Sequence, residues 1–434
     1  MIIETFVYLQ KYSSMDRNKL RIVINDQQEI RFNRDDVSRM RYVRMYNDKE
    51  IVVISGVRRC GKSTFLAELR SLLPEKHFYL NFDDDRLMRF TVEDFQPLLE
   101  LFMMNYGDQK TCYFDEIQNV EGWERFVNRL YEAGYKIYIT GSNAKMLSRE
   151  LGTYLTGRFY RTEIFPFSYR EFLDFKKVKV TDEMIFSTRG KAKLYTLYNE
   201  YFNNGGFPAF LKSGNNQYLK SLYESIIYKD VLVRNKLTNE KEILELVYFL
   251  VTNVAKTFSY NSLAQIIGVS SSSTVKSYLE YLQDTYLIFL VPKFDFSLKK
   301  QIQNAKKVYF IDNAMVKQLG FRFSEDSGRM LENMVYIELR RRQKEVFYHR
   351  MKKECDFVIR EGATITEAYQ VTNIFENISS KKRELEGLYE AIQVYNLDVG
   401  YILTDDEETE FEYKGKKIKV MMVWRWMLGV YNEN

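Results

Sequence analysis

Ile51-Val52-Val53-Ile54-Ser55-Gly56-Val57-Arg58-Arg59-Cys60-Gly61-Lys62-Ser63-Thr64 is the stretch on which the fold turns. Four apolar residues run without a break into a loop bounded by glycines, and a helix-like segment, Ser63 to Leu73, leaves it. The spacing of Gly56, Gly61, Lys62 and Ser63 satisfies G-x-x-x-x-G-K-[S/T]. Glycines let successive backbone N–H groups converge on phosphate oxygens, an approach that a Cβ would obstruct. The following helix adds the positive end of its dipole. In such a loop Gly56, Gly61 and Thr64 help to form the cradle, Lys62 reaches the β- and γ-phosphates, and Ser63 gives its hydroxyl to magnesium. ATP with Mg2+ is the ligand these residues predict.

The same alternation continues on the C-terminal side. Phe78-Tyr79-Leu80-Asn81-Phe82, Thr111-Cys112-Tyr113-Phe114 and Ile137-Tyr138-Ile139-Thr140 read as short apolar strands, with helix-like segments such as Trp123 to Ala133 between them. Apolar strands separated by helices predict a parallel sheet covered on both faces. One strand ends in Asp115-Glu116. Asp115 is the expected magnesium ligand, and Glu116 the group that orients and polarises the attacking water. Ile139-Thr140-Gly141-Ser142-Asn143 ends another strand at the carboxyl edge, where nucleotides bind. There Asn143 or Ser142 is placed to bond the γ-phosphate or the lytic water; a capped turn before a helix over Ala144–Glu150 reads these residues equally well. Leu155-Thr156-Gly157-Arg158-Phe159 offers Arg158 as an arginine finger, supplying fixed charge to the transition state. Its competing reading is a surface arginine in an ion pair. Arg58 and Arg59, inside the loop, receive no role.

Gly-Val-Arg-Arg-Cys-Gly-Lys-Ser-Thr (56–64), Asp-Glu-Ile-Gln (115–118), Thr-Gly-Ser-Asn (140–143), Gly-Arg-Phe (157–159) and Phe-Pro-Phe-Ser-Tyr-Arg-Glu-Phe (165–172) together resemble the prokaryotic AAA+ ATPase family. The nearest group pairs this ATPase with a C-terminal domain of unknown function, to whose landmarks Gly205-Gly206-Phe207-Pro208 and Lys307-Val308-Tyr309-Phe310-Ile311-Asp312 are similar. The resemblance covers nearly the whole chain after Arg41. It implies magnesium-ATP, a sheet with an additional strand, and assembly as a dimer or ring. It names no substrate.

Farther along, Ser262-Leu263-Ala264-Gln265-Ile266-Ile267-Gly268-Val269-Ser270 reads as helix, glycine turn and new helix start. The next segment, Thr274 to Gln283, is amphipathic, with Val275, Tyr278, Leu279 and Leu282 on its core face. With Leu287 to Phe296 as a wing, this looks like a winged helix. Its recognition helix carries Lys276 beside Glu280 and Asp284, a poor match to phosphates; Lys293, Lys299, Lys300, Lys306 and Lys307 form a better one. In the tail, Glu332 on a helix from Gly328 to about Gln343, Asp356 in Glu354-Cys355-Asp356-Phe357-Val358, and Gln370 in Tyr369-Gln370-Val371-Thr372 resemble the acidic positions of a PD-(D/E)XK nuclease-like fold. Active members hold magnesium between two acids and follow the second with a lysine. Here the second acid is Gln370 and the lysine position is Thr372, so a retained fold used for binding or assembly is expected over cleavage. Lys381 or Lys382 is the substitute cation the sequence offers.

Domain organisation follows as an N-terminal extension (1–40) expected to pack on its neighbour, an AAA+-like P-loop domain (41–180), a helical connector (181–237), a winged-helix domain (238–322) and a degenerate restriction-endonuclease-like α/β domain (323–434). The chain has 434 residues, with 64 Lys and Arg against 59 Asp and Glu. The mild excess permits contact with double-stranded DNA without demanding it. Cys60, Cys112 and Cys355 build no disulfide framework or paired metal spacing, which fits a reducing cytoplasm. No apolar run reaches the ~18 residues that span a bilayer, and no signal peptide is expected. Three functions remain: a nucleotide-driven switch or motor on nucleic acid, a slow signalling or scaffolding ATPase with protein partners, and an ATP-gated nuclease.

Overall fold

Helix formation begins earlier than the mixed composition of the first forty residues suggests. Leu20, Val23, Ile24 and Gln27 recur at helical spacing and are buried on one face of a helix, Arg17–Gln28, that Asp16 caps by accepting the Asn18 N–H. This element belongs to a computed structural model that describes residues 15–430 apart from 30–31, 34, 41–49, 73–75, 144–156, 321–326 and 374–377. The three apolar side chains join the core of the sheet that follows, each contributing about 1.5–3 kcal/mol on burial. Gln27 fixes the register of the contact, since its Oε1 accepts the Asn81 N–H at 2.7 Å. The helix expected over 144–150 lies outside the described residues.

Strands β1 (Ile51–Ser55), β2 (Phe78–Asn81), β3 (Thr111–Asp115), β4 (Lys136–Gly141) and β5 (Phe159–Glu163) form one sheet in the order β2-β3-β4-β1-β5. All pairings are parallel. β1 and β3 are buried at every position, as expected of strands covered on both faces. β4 lies between the strand that feeds the glycine loop and the strand that ends in Asp115, which is the additional strand the resemblance implied. β5 is the strand that the sequence pattern did not disclose; its alternating polar residues hid it behind Arg158. Two compact units divide the chain, the first running to Ile164 without Arg58–Cys60, and the second taking Arg58–Cys60 and the chain from Phe165 on.

In the second unit, helices Asp182–Phe186, Thr188–Asn204, Pro208–Ser213 and Asn216–Ser225 lead into a π-helix, Ile226–Val233. Then come helix Glu240–Thr252, β6 (Thr257–Phe258), helices Tyr260–Ile266 and Ser272–Asp284, and strands β7 (Ile288–Pro292) and β8 (Lys306–Phe310). These strands make an antiparallel sheet in the order β6-β8-β7. Helix Ser272–Asp284 buries Val275, Tyr278, Leu279 and Leu282, the face its period predicts.

Helix Ser327–Arg341 is followed by β9 (Glu345–Arg350), β10 (Glu354–Glu361), β11 (Thr364–Val371), β12 (Val399–Thr404), β13 (Thr409–Tyr413) and β14 (Lys416–Met422). Their order is β13-β14-β12-β11-β10-β9. β9, β10 and β11 form an antiparallel meander, and β11, β12 and β14 run parallel. Helix Ile378–Tyr395 supplies the crossover between β11 and β12, and its Leu385, Leu388, Ala391 and Ile392 share a core with the sheet. The chain is α/β throughout: a parallel five-stranded sheet, a helical region and a further mixed sheet.

The two landmarks Gly205-Gly206 and Asp312 meet in this unit. Asp312 accepts the Gly206 N–H at 2.7 Å and the Ala314 N–H at 2.9 Å. Gly205 has φ +62, and a Cβ there would stand 1.9 Å from the Asp312 carboxylate, while one on Gly206 would stand 2.1 Å from the Phe167 carbonyl oxygen. The glycines are required by this close approach.

Candidate functional site at the carboxyl edge of the first sheet

β1, β3 and β4 deliver three loops to one edge because parallel strands place all their carboxyl ends together. Gly56 and Gly61 hold φ values of +155 and +104, and Arg59 takes a left-handed φ of 63 between them. Lys62 opens helix Lys62–Leu72 and is 3% exposed. Its ammonium donates to the Val57 carbonyl at 3.2 Å and stands 3.2 Å from Glu116 Oε1. The lysine therefore arches back over its own loop and meets the carboxylate at the end of β3.

Asp115 is fully buried. Burial first, and the neighbouring Glu116 charge second, push its carboxyl up to about 6, while the hydroxyls of Thr140 and Ser63 pull the other way. Thr140 Oγ1 bonds Asp115 Oδ1. Oδ2 is buried and makes no hydrogen bond among the described residues. A buried carboxylate oxygen left open beside a serine hydroxyl is the donor set that a hard cation such as Mg2+ takes, so Ser63 and Asp115 fit the metal that a nucleotide brings. Among the described residues, no group of three or more His, Cys, Asp and Glu is arranged to hold a metal by itself.

Glu116 sits in the left-handed region at φ 50 and ψ 41, a conformation that costs a non-glycine residue about 1–2 kcal/mol. Three contacts hold it there. Its N–H donates to Thr140 Oγ1 at 2.9 Å, its Oε2 accepts the Ser142 N–H at 3.2 Å, and Gln118 Nε2 donates to the same oxygen. Thr140 and Gln118 were quoted in the motifs without a role; the approach of β4 to β3 reveals that of Thr140, and the turn after β3 that of Gln118. Ser142 Oγ is buried and makes no hydrogen bond among the described residues, and Asn143 is 7% exposed beside it.

Lys62, Ser63, Asp115, Glu116, Ser142 and Asn143 thus share one edge. Arg158 does not join them. Its carbonyl accepts the Ile51 N–H at 2.9 Å, placing it at the amino end of β1, opposite the glycine loop. Its guanidinium bonds Asn128 at 2.8 Å and Glu132 at 3.1 Å, the ion pair that was its alternative reading. The arginine of β5 that does reach the nucleotide edge is Arg161, whose Nε donates to Ser55 Oγ at 3.0 Å, one residue before Gly56. Arg39 also approaches the loop, its guanidinium carbon standing 3.7 Å from where a Cβ on Gly61 would be. Neither residue lies in a motif, so no sequence signal could have found them.

Glu332, Asp356 and Gln370 are also brought together, in the second unit, and a residue from β8 stands among them. Lys307 is 2% exposed, with its ammonium 3.0 Å from Glu332, 2.9 Å from Glu354 and 3.0 Å from Asp356. Burial works against its charge, but Glu332, Tyr309, Asp356 and Glu354 together outweigh it and hold its pKa well above the usual lysine range. Lys307 therefore leaves the set of lysines expected to face phosphates, because its charge is spent internally. Lys382 is exposed, and the side chain of Lys381 lies outside the described residues.

A family model described as an AAA domain matches residues 48–173, and one described as a domain of unknown function, DUF8612, matches 195–326. The chain is 34% identical to the "Uncharacterized protein MJ1544" of Methanocaldococcus jannaschii, over 97% of this chain and 98% of that one. It is 30% identical to an "Uncharacterized protein" of Haemophilus influenzae, over 79% of this chain and 88% of the relative. Among solved structures it is similar to the Thermotoga maritima RuvB Holliday junction branch migration motor, at 15% identity and TM-score 0.25, over 64% of this chain and 88% of that one. It is also similar to Drosophila ORC bound to AT-rich DNA and Cdc6, at 9% identity and TM-score 0.19, over 70% and 91%. Among the described residues no helix is long and apolar enough to cross a membrane. The glycine loop and the Asp115-Glu116 strand end both fall inside the AAA match, and on the full-length identity to MJ1544 the chain belongs to the prokaryotic AAA-domain family of that protein.

Proposed function

We propose that this chain hydrolyses ATP with magnesium and uses the nucleotide cycle as a switch or motor. The observation that carries the proposal is the placement of Glu116. A mere binding site needs Lys62, Ser63 and Asp115. Holding a second carboxylate in a strained backbone conformation, 3.2 Å from the Lys62 ammonium, serves a further end: orienting a water for in-line attack on the γ-phosphate. Lys62 neutralises the phosphates, Ser63 and Asp115 hold the metal, and Asn143 or Ser142 bonds the γ-phosphate or the water. Magnesium, when bound, spreads the charge that develops on the phosphate oxygens. An arginine-finger role for Arg158 requires a second copy of the chain, since within one chain it serves Asn128 and Glu132.

Helices Tyr260–Ile266 and Ser272–Asp284 with the β7–β8 hairpin support the winged-helix reading. The six-stranded sheet with helix Ser327–Arg341 supports the nuclease-like one. The burial of Lys307 favours protein partners over DNA, because it removes one of the five lysines on which phosphate contact rested and Lys306 is half-buried beside it. Steady-state ATP hydrolysis with and without double-stranded DNA, beside Lys62→Ala, separates the readings. A DNA-stimulated rate that vanishes in Lys62→Ala supports the motor on nucleic acid. A slow rate indifferent to DNA supports the signalling or scaffolding ATPase, and no Lys62-dependent rate at all refutes hydrolysis.

A further inference from the structure

The acidic positions of the C-terminal sheet already have a cation. An ammonium has three N–H donors, and Lys307 has three carboxylate partners, Glu332, Glu354 and Asp356, all within 3.0 Å. Two of the three carboxylates make further hydrogen bonds. Glu332 Oε1 accepts a second bond from the Tyr309 hydroxyl at 2.6 Å. Asp356 Oδ2 accepts the Val371 N–H at 3.0 Å and Gln370 Nε2 at 2.7 Å.

Gln370 is decisive in its orientation. Its Oε1 accepts the Asp356 N–H at 3.3 Å, and its Nε2 donates to the carboxylates of Asp356 and Glu384. Turned the other way, it would set an oxygen against two anions. The side chain that replaces a metal-binding acid in the resemblance therefore presents N–H groups toward the pocket, and N–H groups repel a cation. Mg2+ asks for about six oxygens at about 2.1 Å in near-octahedral array. With the Lys307 ammonium against three carboxylates and the Gln370 N–H groups turned toward Asp356 and Glu384, the donor set does not fit that ion.

We propose that Lys307 is the permanent counter-ion of this pocket, standing where a divalent cation stands in the nucleases that the fold resembles. The acids then serve as a clamp. Lys307 and Tyr309 lie on β8, Glu332 on helix Ser327–Arg341, and Glu354 and Asp356 on β10, so the ionic cluster joins the three-stranded sheet to the six-stranded one. Such a cluster contributes specificity of docking more than net stability, but removing one partner strands the opposite charges in a buried site. The inference is independent of the hydrolytic reading of the first sheet.

The test uses the full chain carrying Asp115→Asn, so that the nucleotide site does not report, and titrates Mn2+ alone by electron paramagnetic resonance. The expected result is the same bound Mn2+ with and without Glu332→Gln. Mn2+ bound in a Glu332-dependent way overturns the proposal, since the acids would then hold a metal beside Lys307. Thermal melting supplies the second arm. Lys307→Met lowers Tm, and adding Glu332→Gln to it raises Tm again, because one of the three stranded carboxylates is gone and the repulsion among them is relieved. If Lys307→Met does not fold, recovery of a cooperative transition in the double variant carries the same support. A double variant no more stable than Lys307→Met overturns the proposal.

Discussion

Thr140→Val tests how the hydrolytic carboxylate is held. The hydroxyl of Thr140 accepts the Glu116 N–H at 2.9 Å and bonds Asp115 Oδ1, and the residue is fully buried. Valine keeps the shape and suits a strand, so the change isolates the hydroxyl. A buried backbone N–H and a carboxylate oxygen each lose a partner, at about 1–3 kcal/mol apiece. Because the two share one neighbourhood, their sum is an upper bound, and a loss of about 2–4 kcal/mol by urea unfolding is expected. Release of Glu116 from its left-handed position lowers kcat by about 10–100-fold, the penalty for a misplaced catalytic group. ATP affinity, measured with a fluorescent analogue, changes little because Lys62 and the glycine loop are untouched. Unfolding free energy within about 0.5 kcal/mol of the native chain, a spread typical of surface changes, together with unchanged kcat, would refute the role of Thr140.

Glu116→Gln is expected to bind ATP normally while hydrolysing it about 10²–10⁴-fold more slowly, the usual contribution of a positioned base; turnover equal to the native rate removes Glu116 from the mechanism. Asp115 gives two opposite pH trends. Its folded pKa is raised from 3.8 to about 6, so the native state binds more protons than the unfolded one between those values, and this group's contribution to stability falls as pH rises through that window. Magnesium needs the anion, so magnesium-dependent hydrolysis climbs through pH about 6; a flat profile between pH 5 and 7 would contradict the assignment. Gly205→Ala places a Cβ 1.9 Å from the Asp312 carboxylate at a positive φ and is expected to lower stability by more than about 3 kcal/mol, read by thermal melting. Arg161→Ala should reduce hydrolysis with little loss of stability, whereas Arg158→Ala in a monomeric preparation should leave it unchanged; the reverse order of effects would restore Arg158 to the nucleotide edge.

The first sheet was legible because its physics is local. Apolar runs of four or five residues, a glycine loop with invariant spacing needs and an acidic strand end each declare themselves within ten residues, and burial on both faces writes strands as unbroken apolar runs. What was missed is half-exposed or polar. β5 alternates polar residues at a sheet edge, and helix Arg17–Gln28 shows its face only once Gln27 is allowed to count as buried, satisfied by the Asn81 backbone. The chain by itself determined which groups were available to touch a nucleotide: Lys62, Ser63, Asp115 and Glu116. Tertiary structure alone decided which partners held them, setting Thr140 against Asp115 and Glu116, turning Arg158 to the far end of β1, and carrying Lys307 into three carboxylates that lie 25 to 49 residues away. Charge–charge and hydrogen-bond energies depend on separations of a few ångströms, and a sequence records those only for neighbours along the chain.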